Sequence, residues 1–580
     1  MQIHLSANRS RLGLAVLCVI ACLLCVSTYR VFGNFWDEPE HIAAGVALID
    51  RDLYLYDNQH PPFARLLAAI GPYLAGVRFH GEPMPVGDDE GRDLLYNSPA
   101  SYDTLLRLAR LGMLPFLVTL LCATWHWARR WLGDGAALLA TLFLTATPVI
   151  LGHAAVVAVD VPVTALIVLS LYLLLRWVET PTWMRATGLG LAAGLATATK
   201  LSAIPFLGVA LIALMLSSGM VRFRARAMAA RTAAAAPAAA SPPPPVPSPP
   251  IPPAMPLRRL GQMIWALVLG VGFALAVYGP RLVYLTDVAH SPSRALDFWV
   301  GTHGPLHDLA YRLAAQVPLP YGLQMLPLAI LGVEWHNTHG HMSFLLGQTA
   351  PNGWWYFYPV ALAVKTPLPL LLLGLAGLTM LAVRGVRSAN LFLLAPPACF
   401  VSIMLFACLY SHINIGVRHV LIAFPLLALG AGYLVSTLWP QACAVRRAGL
   451  CVLVLCELGS LIVSYPDYVA YFNLLAGRHP ERILVDSDLD WGGQDLRRLE
   501  RVLAQRNVEH LTLGYKGTAD LSREALPPFD LLKPGQPVTG WVAITMLTLQ
   551  ENRNGFAWLD TFEPVQRVGG SFALYFIPPR

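Results

Sequence analysis

Two carboxylates and a histidine stand close together just after the first apolar run of the chain. Asp37, Glu38 and His41 lie in the stretch FWDEPEH, residues 35–41. If residues 39–49 are helical, Asp37 and His41 lie near one face at the start of that helix. A carboxylate in this position can act as a general base, or it can simply cap the helix through its side chain. Spacing alone leaves both roles open.

A second polar group follows in the stretch DNQHPPFAR, residues 57–65. This stretch ends an extended segment and begins a helix, for which Pro62 suits the first turn. His60 and Arg65 are placed to meet an anion at that helix start. The alternative is a proline-initiated helix at the membrane surface whose basic residues are solvated.

Further charged residues stand at the ends of apolar runs. Asp160 lies at the outer end of the fourth run, where a carboxylate is costly and is usually paired or functional. Lys200 lies between the fifth and sixth runs, Lys365 follows an aromatic band, and Arg418 opens the tenth run. Each cation alone can be a snorkelling anchor. Together, cations around carboxylates at one membrane face suit an anionic lipid headgroup.

The densest histidine cluster is WHNTHGH, residues 335–341. His339 and His341, with His41, are candidate ligands for zinc or a comparable divalent metal ion. A divalent metal is the only cofactor that the sequence brings into consideration. Because Glu334 is the nearest carboxylate to this cluster, a polar outer loop is the simpler interpretation.

The elements that must position these residues are mostly membrane-spanning helices. Of 580 residues, 56% are hydrophobic and only 13% are charged, a composition that excludes a soluble protein of this size. The repeated apolar runs of roughly 17–25 residues can each cross a bilayer. The net charge of +7 does not indicate a nucleic-acid partner, since the arginines form short clusters between these runs. The sequence predicts a mainly α, polytopic membrane protein.

About eleven transmembrane helices are predicted from the lengths of the apolar runs. They cover residues 12–28, 105–128, 136–152, 155–175, 187–199, 201–219, 260–285, 366–383, 389–410, 419–438 and 448–464. Arginines occupy alternate loops, which places the N-terminus in the cytoplasm and the C-terminus outside. The composition indicates a bacterium, so the predicted location is the cytoplasmic (inner) membrane.

The chain divides into four predicted units. They are N-terminal helices with a first outer loop (1–232, loop 30–104), a Pro/Ala-rich cytoplasmic linker (233–256), C-terminal helices with a second outer loop (257–464, loop 286–355), and a soluble extracytoplasmic α/β domain (465–580). In the last unit the patterns predict strands over 483–485, 511–513 and 541–548 and a helix over 494–505.

Several motifs resemble those of the GT-C-type polytopic glycosyltransferases, in particular the protein O-mannosyltransferase and aminoarabinose-transferase-like superfamily. They are WDE at 36–38, HPP at 60–62, DVP at 160–162 and TK at 199–200. Further segments resemble a bacterial, phospholipid-carrier-dependent branch of it. These are WWYFYPVALAVKTPLP at 354–369, NIGVRH at 414–419, YFN at 471–473 and DSDLDW at 486–491. The resemblance covers nearly the whole chain.

The resemblance implies an enzyme that uses a polyprenyl-phosphate-linked sugar as donor, on the outer face of the membrane and with inversion at the anomeric carbon. Asp37 matches the catalytic carboxylate and would act as general base, with Glu38 and Asp160 beside it. Cations would stabilise the lipid-phosphate leaving group. The candidates are His60, Arg65, Lys200, Lys365 and Arg418. Some relatives carry a lysine in place of His60.

Other classes of protein also fit a polytopic chain with charges near the membrane surface. A transporter or lipid flippase is the main alternative, although transporters concentrate polar residues near the bilayer midplane. A non-catalytic scaffold would leave the clustered carboxylates unexplained. Besides membrane lipids, the expected partners are the lipid-linked donor and an acceptor, which the sequence leaves open among protein, lipid A, another glycolipid and a polymer.

Overall fold

The computed structural model describes residues 7–57, 59–234, 257–284, 301 and 304–579. The predicted linker therefore lies outside the described residues from residue 235 onward. The first part of the predicted second outer loop, up to residue 300, also lies largely outside them.

The described residues form 21 α-helices, which we number in chain order. They are α1 Ala7–Thr28, α2 Glu38–Arg51, α3 Phe63–Leu74, α4 Gly87–Tyr96, α5 Tyr102–Leu111, α6 Leu114–Trp131, α7 Asp134–Thr145, α8 Pro148–Ala154, α9 Asp160–Glu179, α10 Trp183–Thr197, α11 Ala203–Ala234, α12 Leu257–Ala276, α13 Pro305–Gln316, α14 Tyr321–His339, α15 Phe357–Lys365, α16 Leu368–Arg387, α17 Leu391–Tyr410, α18 Ala423–Leu438, α19 Ala444–Val463, α20 Leu496–Gln505 and α21 Met546–Glu551. The predicted mainly α, polytopic architecture is confirmed.

Eight helical segments of the described chain are long and apolar enough to cross a membrane, or nine if α7 and α8, bent by 65°, form one span. Two further predicted spans are helical but differ in character. Helix α10 has only 15 residues. Helix α19 has 20 residues, with Arg446 and Arg447 in its first turn and Glu457 within its apolar run.

The helices of the membrane region approach one another closely at small residues. Helices α16 and α18 cross at Gly377 and Gly430, where a Cβ on Gly377 would lie 1.9 Å from the Gly430 carbonyl oxygen. Helices α10 and α12 cross in the same way at Gly194 and Gly270. Such contacts replace the hydrophobic driving force that lipid does not supply, because they allow dense packing between backbones.

Nine short strands complete the described structure. They are β1 Leu282–Val283, β2 Leu319–Pro320, β3 Ser343–Leu345, β4 Gln348–Ala350, β5 Leu511–Gly514, β6 Phe529–Leu531, β7 Gly540–Thr545, β8 Gln566–Val568 and β9 Phe572–Ile577. The last five form one mixed sheet of order β6-β5-β7-β9-β8. Strand β5 pairs in parallel with β6 and β7, whereas β9 is antiparallel to β7 and β8.

Helix α20 and this sheet build the C-terminal α/β region. Leu496, Leu499 and Leu503 share one face of α20 and are buried in a common core with the sheet. The predicted helix and the strand over 511–513 are confirmed. The strand predicted over 541–548 ends at Thr545, whose side chain caps the next helix by accepting a hydrogen bond from the backbone N–H of Thr548.

The strand predicted over residues 483–485 is wrong. A single helical turn over Pro480–Arg482 precedes it, and the only pairing in this stretch is an isolated bridge between Asp486 and Asp490. Its apolar residues Leu484 and Val485 are nevertheless buried. They anchor the acidic turn that follows, which the structure brings to the candidate site.

Candidate active site

A cavity of about 650 Å³ lies between the ends of several membrane helices and the C-terminal α/β region. One wall is apolar and the other carries ionisable side chains. Seven of the residues singled out from the sequence line it: Asp37, His41, His60, Asp160, Lys200, His341 and Arg418. Residues that are far apart in the sequence therefore meet at one cavity.

Asp37 occupies the residue before helix α2, but its side chain does not cap that helix. Its Oδ2 instead lies 2.5 Å from Nη1 of Arg418. The capping role that the spacing allowed is therefore excluded as the main function of this side chain. The carboxylate faces the cavity and is held there by an ion pair.

Asp160 and Lys200 form a second ion pair beside the first. Asp160 begins helix α9 and is 2% exposed, and its Oδ1 lies 2.6 Å from the Lys200 ammonium. The positive end of the helix dipole favours a carboxylate at this position. Arg418 Nη1 also lies 4.0 Å from Asp160 Oδ2. Carboxylates and cations thus alternate in the order Asp37, Arg418, Asp160, Lys200.

His60 reaches the cavity with its imidazole oriented by Asp57. The His60 Nδ1 lies 2.5 Å from Asp57 Oδ2. Arg65 bonds to the same Asp57 oxygen and also donates to the Tyr54 hydroxyl at 2.7 Å. Burial opposes the charge on Asp57, but the facing His60 and Arg65 outweigh it and hold the Asp57 pKa well below its usual range. The contact with Asp57 fixes the orientation of the ring through Nδ1 and leaves Nε2 of His60 as the atom that can meet a ligand.

Three other predicted site residues do not line the cavity. Arg65 is 1% exposed and is used in holding Asp57. Glu38 is fully buried, and its carboxylate accepts hydrogen bonds from Arg110 Nε at 2.8 Å and Nη2 at 2.7 Å. Lys365 is fully buried and donates to the Val469 carbonyl at 2.7 Å. Their charges are satisfied by the protein, because a buried charge requires such partners.

The three histidines considered as metal ligands are not gathered in one place. His41 and His341 line the cavity, whereas His339 stacks on Trp335 with ring centres 4.4 Å apart. His341 Nδ1 instead lies 3.3 Å from His336 Nε2. Within the described part of the chain, no group of three His, Cys, Asp or Glu residues is arranged to hold a metal ion.

The C-terminal α/β region supplies cavity residues that the sequence did not assign. Asp486, Lys516 and Glu551 all line the cavity. The acidic run DSDLDW was a usable signal for Asp486, since charges clustered at the start of a small domain rarely serve packing alone. Lys516 and Glu551 carry no such signal, because their positions depend on how the sheet docks.

This same region also holds the chain just before Asp37. The backbone N–H of Trp36 donates to the Trp491 carbonyl at 3.0 Å, and the Thr518 hydroxyl donates to the Trp36 carbonyl at 2.9 Å. The guanidinium of Arg418 lies 4.6 Å above the Trp491 ring, within cation–π range. The two members of the Asp37–Arg418 pair are thus positioned by a third part of the chain.

Together, the bundle of apolar helices and the charged cavity define a polytopic membrane protein with a site at the helix ends. Residues 107–243 match the family model of the dolichyl-phosphate-mannose-protein mannosyltransferases. The matched segment covers less than a quarter of the chain and includes Asp160 and Lys200. This match confirms the resemblance to the GT-C-type polytopic glycosyltransferases and, with it, the predicted enzyme class.

The solved structures that are similar to the chain at low identity include ArnT and AglB. ArnT from Cupriavidus metallidurans, bound to undecaprenyl phosphate, matches over 99% of this chain and 100% of that one, with 13% identity and a TM-score of 0.48. The oligosaccharyltransferase AglB from Archaeoglobus fulgidus, in complex with an inhibitory peptide and a dolichol-phosphate, matches over 85% of this chain and 58% of that one, with 14% identity and a TM-score of 0.45. Likenesses of this size establish neither substrate nor mechanism. No curated protein sequence matches the chain.

Proposed function

We propose that this protein transfers a sugar from a polyprenyl-phosphate-linked donor to an acceptor hydroxyl on the outer face of the membrane. The observation that supports the proposal most directly is the position of the Asp37 carboxylate and the contact that it makes. This carboxylate does not cap helix α2 and faces the cavity. Its Oδ2 is held by Nη1 of Arg418 at 2.5 Å. A carboxylate held in this way can accept a proton from a bound hydroxyl group.

The reaction is a single displacement at the anomeric carbon. Asp37 takes the proton of the acceptor hydroxyl as its oxygen forms a bond to that carbon. The bond between the carbon and the phosphate oxygen breaks, and the lipid phosphate leaves with the electron pair. One displacement of this kind inverts the configuration. Lys200, Arg418 and His60 line the same cavity and stabilise the charge on the leaving phosphate.

The apolar wall of the cavity suits the hydrocarbon chain of such a donor. It is lined by Ile204 and Phe206 from helix α11, Val333 from helix α14 and Phe406 from helix α17. Ile204 is 46% exposed, and it extends this apolar surface outward. A ligand with a charged head and a long apolar tail matches both walls, because each part meets groups of its own polarity.

A transporter or lipid flippase is the alternative function. Four ionisable residues of the cavity, Asp37, Asp160, Lys200 and Arg418, come from turns or helix starts: the residue before α2, the first turn of α9, the turn before α11 and the helical turn before α18. Transporters instead gather such groups at breaks inside their helices, near the midplane. A flippase also needs no proton acceptor, so the two functions differ in their dependence on Asp37.

The experiment is a transfer assay with the Asp37→Asn variant. Asparagine keeps the size of the side chain but cannot accept the proton, so we expect transfer from a radiolabelled polyprenyl-phosphate sugar to fall by roughly 10²-fold or more. Asp89→Asn is the matched control, since Asp89 is 44% exposed and pairs with Arg92 away from the cavity. Both proteins are compared at equal amounts in membranes.

Near-normal transfer by Asp37→Asn would remove the general-base role. If neither the wild type nor any variant transfers sugar, while wild-type liposomes move a fluorescent polyprenyl phosphate across the bilayer, the flippase alternative holds. The proposed orientation, with the N-terminus in the cytoplasm and the C-terminus outside the inner membrane, is tested separately. A phosphatase fused after residue 580 should be active, and one fused within residues 237–256 should be silent.

A further inference from the structure

One end of the cavity is built by the C-terminal α/β region rather than by the membrane helices. Asp486, Lys516 and Glu551 contribute side chains to this end, and the Trp36 ring lies beside them. The strongest electrostatic partners of Asp486 are Arg418, Glu551, Lys516 and Asp37. None of the three side chains has a part in the displacement described above. They nevertheless face the same space as the general base.

The Asp486 carboxylate accepts no hydrogen bond and forms no ion pair among the residues that the structure describes, although it is only partly exposed to solvent. A tight turn presents it to the cavity. Ser487 adopts φ of +51°, a left-handed conformation that costs energy for a residue with a side chain. Strain of this kind persists where the surrounding structure holds it, often at functional sites.

The turn is held against the segment that carries Arg418. Gly416 has φ of +70°, and a Cβ on it would lie 2.4 Å from the Ser487 hydroxyl oxygen. The Asp488 carboxylate also accepts a hydrogen bond from the Val417 backbone N–H at 3.1 Å. The turn that carries Asp486 is therefore packed against the segment that carries Arg418, and both residues line one cavity.

Lys516 and Glu551 form an ion pair at the same end. Their side chains are 41% and 19% exposed, so the pair is accessible from the cavity. The Lys516 ammonium lies 6.0 Å from the centre of the Trp36 ring. This end thus offers carboxylate acceptors, one ammonium donor and an aromatic face, which are the groups that bind a ring bearing several hydroxyls.

We propose that Asp486, Lys516 and Glu551 form a subsite that binds the hydroxyl groups of a sugar. Two carboxylates against one ammonium disfavour a phosphate here, because like charges repel at short range. The phosphate belongs instead to the end with Lys200 and Arg418. The inference rests on the proposed transfer function, and it names the polar ligand that the second end of the cavity takes.

Two sugars are available to this subsite under the proposed function. One is the sugar carried by the donor lipid, and the other is a sugar on the acceptor. Both present neutral hydroxyls, so the chemistry of recognition is the same. The source is decided by measuring the two substrates separately.

The experiment uses the full chain in nanodiscs and titrates each substrate in turn. A lipid extract of the source organism, from cells without this gene, supplies the natural donor, and its delipidated envelope supplies the natural acceptor. Asp486→Asn and Glu551→Gln are compared with Asp530→Asn, a control on the same sheet that is 79% exposed. Binding of pure undecaprenyl phosphate, which has no sugar, is measured in parallel.

We expect the apparent KM of one substrate to rise about 10-fold in Asp486→Asn, since a charge-assisted hydrogen bond is lost, while binding of undecaprenyl phosphate stays unchanged. A rise for the lipid extract identifies the donor sugar, and a rise for the envelope identifies the acceptor sugar. Unchanged KM for both substrates in both variants overturns the subsite. Absence of undecaprenyl phosphate binding by the wild type would instead contradict the proposed function itself.

Discussion

The Nη1 of Arg418 lies 2.5 Å from Oδ2 of Asp37, although the two residues are 381 positions apart in the sequence. Asp37 comes from the loop between helices α1 and α2, and Arg418 comes from a helical turn over Val417–Val420 just before helix α18. The same guanidinium lies 4.0 Å from Asp160, so one arginine orients two carboxylates. This contact ties the two halves of the membrane region together at the cavity.

Arg418→Lys should reduce turnover more than it reduces stability. A lysine keeps the charge but lacks the planar guanidinium group. In Arg418 this group contacts Asp37 and Asp160 and also lies over the Trp491 ring. We expect kcat to fall roughly 10-fold or more, because a preorganised donor to the reacting groups is displaced. Steady-state transfer by the purified protein measures this effect.

Arg384→Lys is the control for that measurement. Arg384 lies in the last turn of helix α16 and donates to the Tyr433 hydroxyl at 2.9 Å, outside the cavity lining. Its replacement should leave kcat unchanged. Equal turnover in both lysine variants would show that the geometry of the guanidinium is not needed.

Glu38→Gln should act on folding rather than on chemistry. Glu38 and Arg110 are 0% and 1% exposed, so removing one charge leaves the other buried without its partner. The expected loss is about 3–5 kcal/mol of the free energy of unfolding. Thermal unfolding in detergent should show a large drop for Glu38→Gln and little change for Asp37→Asn. Similar melting of the two variants would contradict this division of roles.

The different roles of Asp37, which faces the cavity, and Glu38, which is buried with Arg110, could not be predicted from the sequence. Both stand at the start of one helix with the same local chemistry, and a helix turns them to different sides. Which side meets the cavity depends on Arg110 and Arg418, one from each half of the membrane region. Local spacing therefore finds the acidic pair but does not assign its members.

The helices were more predictable than the site. A run of apolar residues must form a helix in a bilayer, because no water is present to bond its backbone groups. The same argument does not apply to residues 483–485, where the apolar side chains are buried in an irregular turn. Lys365 illustrates the limit for charges, since its position after an aromatic band fits a surface anchor. The structure instead buries it completely and bonds it to the Val469 carbonyl.

Thr518→Val should lower kcat through Asp37, which Thr518 does not touch. The Thr518 hydroxyl donates to the Trp36 carbonyl at 2.9 Å and accepts from Asn34 Nδ2 at 2.9 Å. Valine has the same shape but neither bond, so the loop before Asp37 gains freedom. We expect kcat to fall about 10-fold with KM unchanged, because small misplacements of a catalytic group are costly.

Thr518→Ser provides the test of that explanation. Serine restores the hydroxyl, so turnover should return close to the wild-type value. A loss of packing alone would leave Thr518→Ser as impaired as Thr518→Val, and both variants would then melt at lower temperature. Recovery by serine at unchanged melting temperature would support positioning.

The last prediction concerns the pH dependence of stability at Asp486. Burial raises the pKa of this carboxyl to about 7, against an attraction from Arg418 that favours the charged form. In the unfolded chain the pKa of an aspartate is about 3.9, so the folded state binds the proton more tightly. This contribution to stability is fully present below about pH 4 and is lost as pH rises through about 7.

Asp486→Asn cannot titrate, whereas Arg418, Lys516 and Glu551 remain in both proteins. The melting temperature of the wild type should therefore decline more steeply than that of Asp486→Asn between about pH 5 and 8, by up to one proton in the linkage slope. Parallel melting curves across this range would show that Asp486 is already ionised in the folded protein.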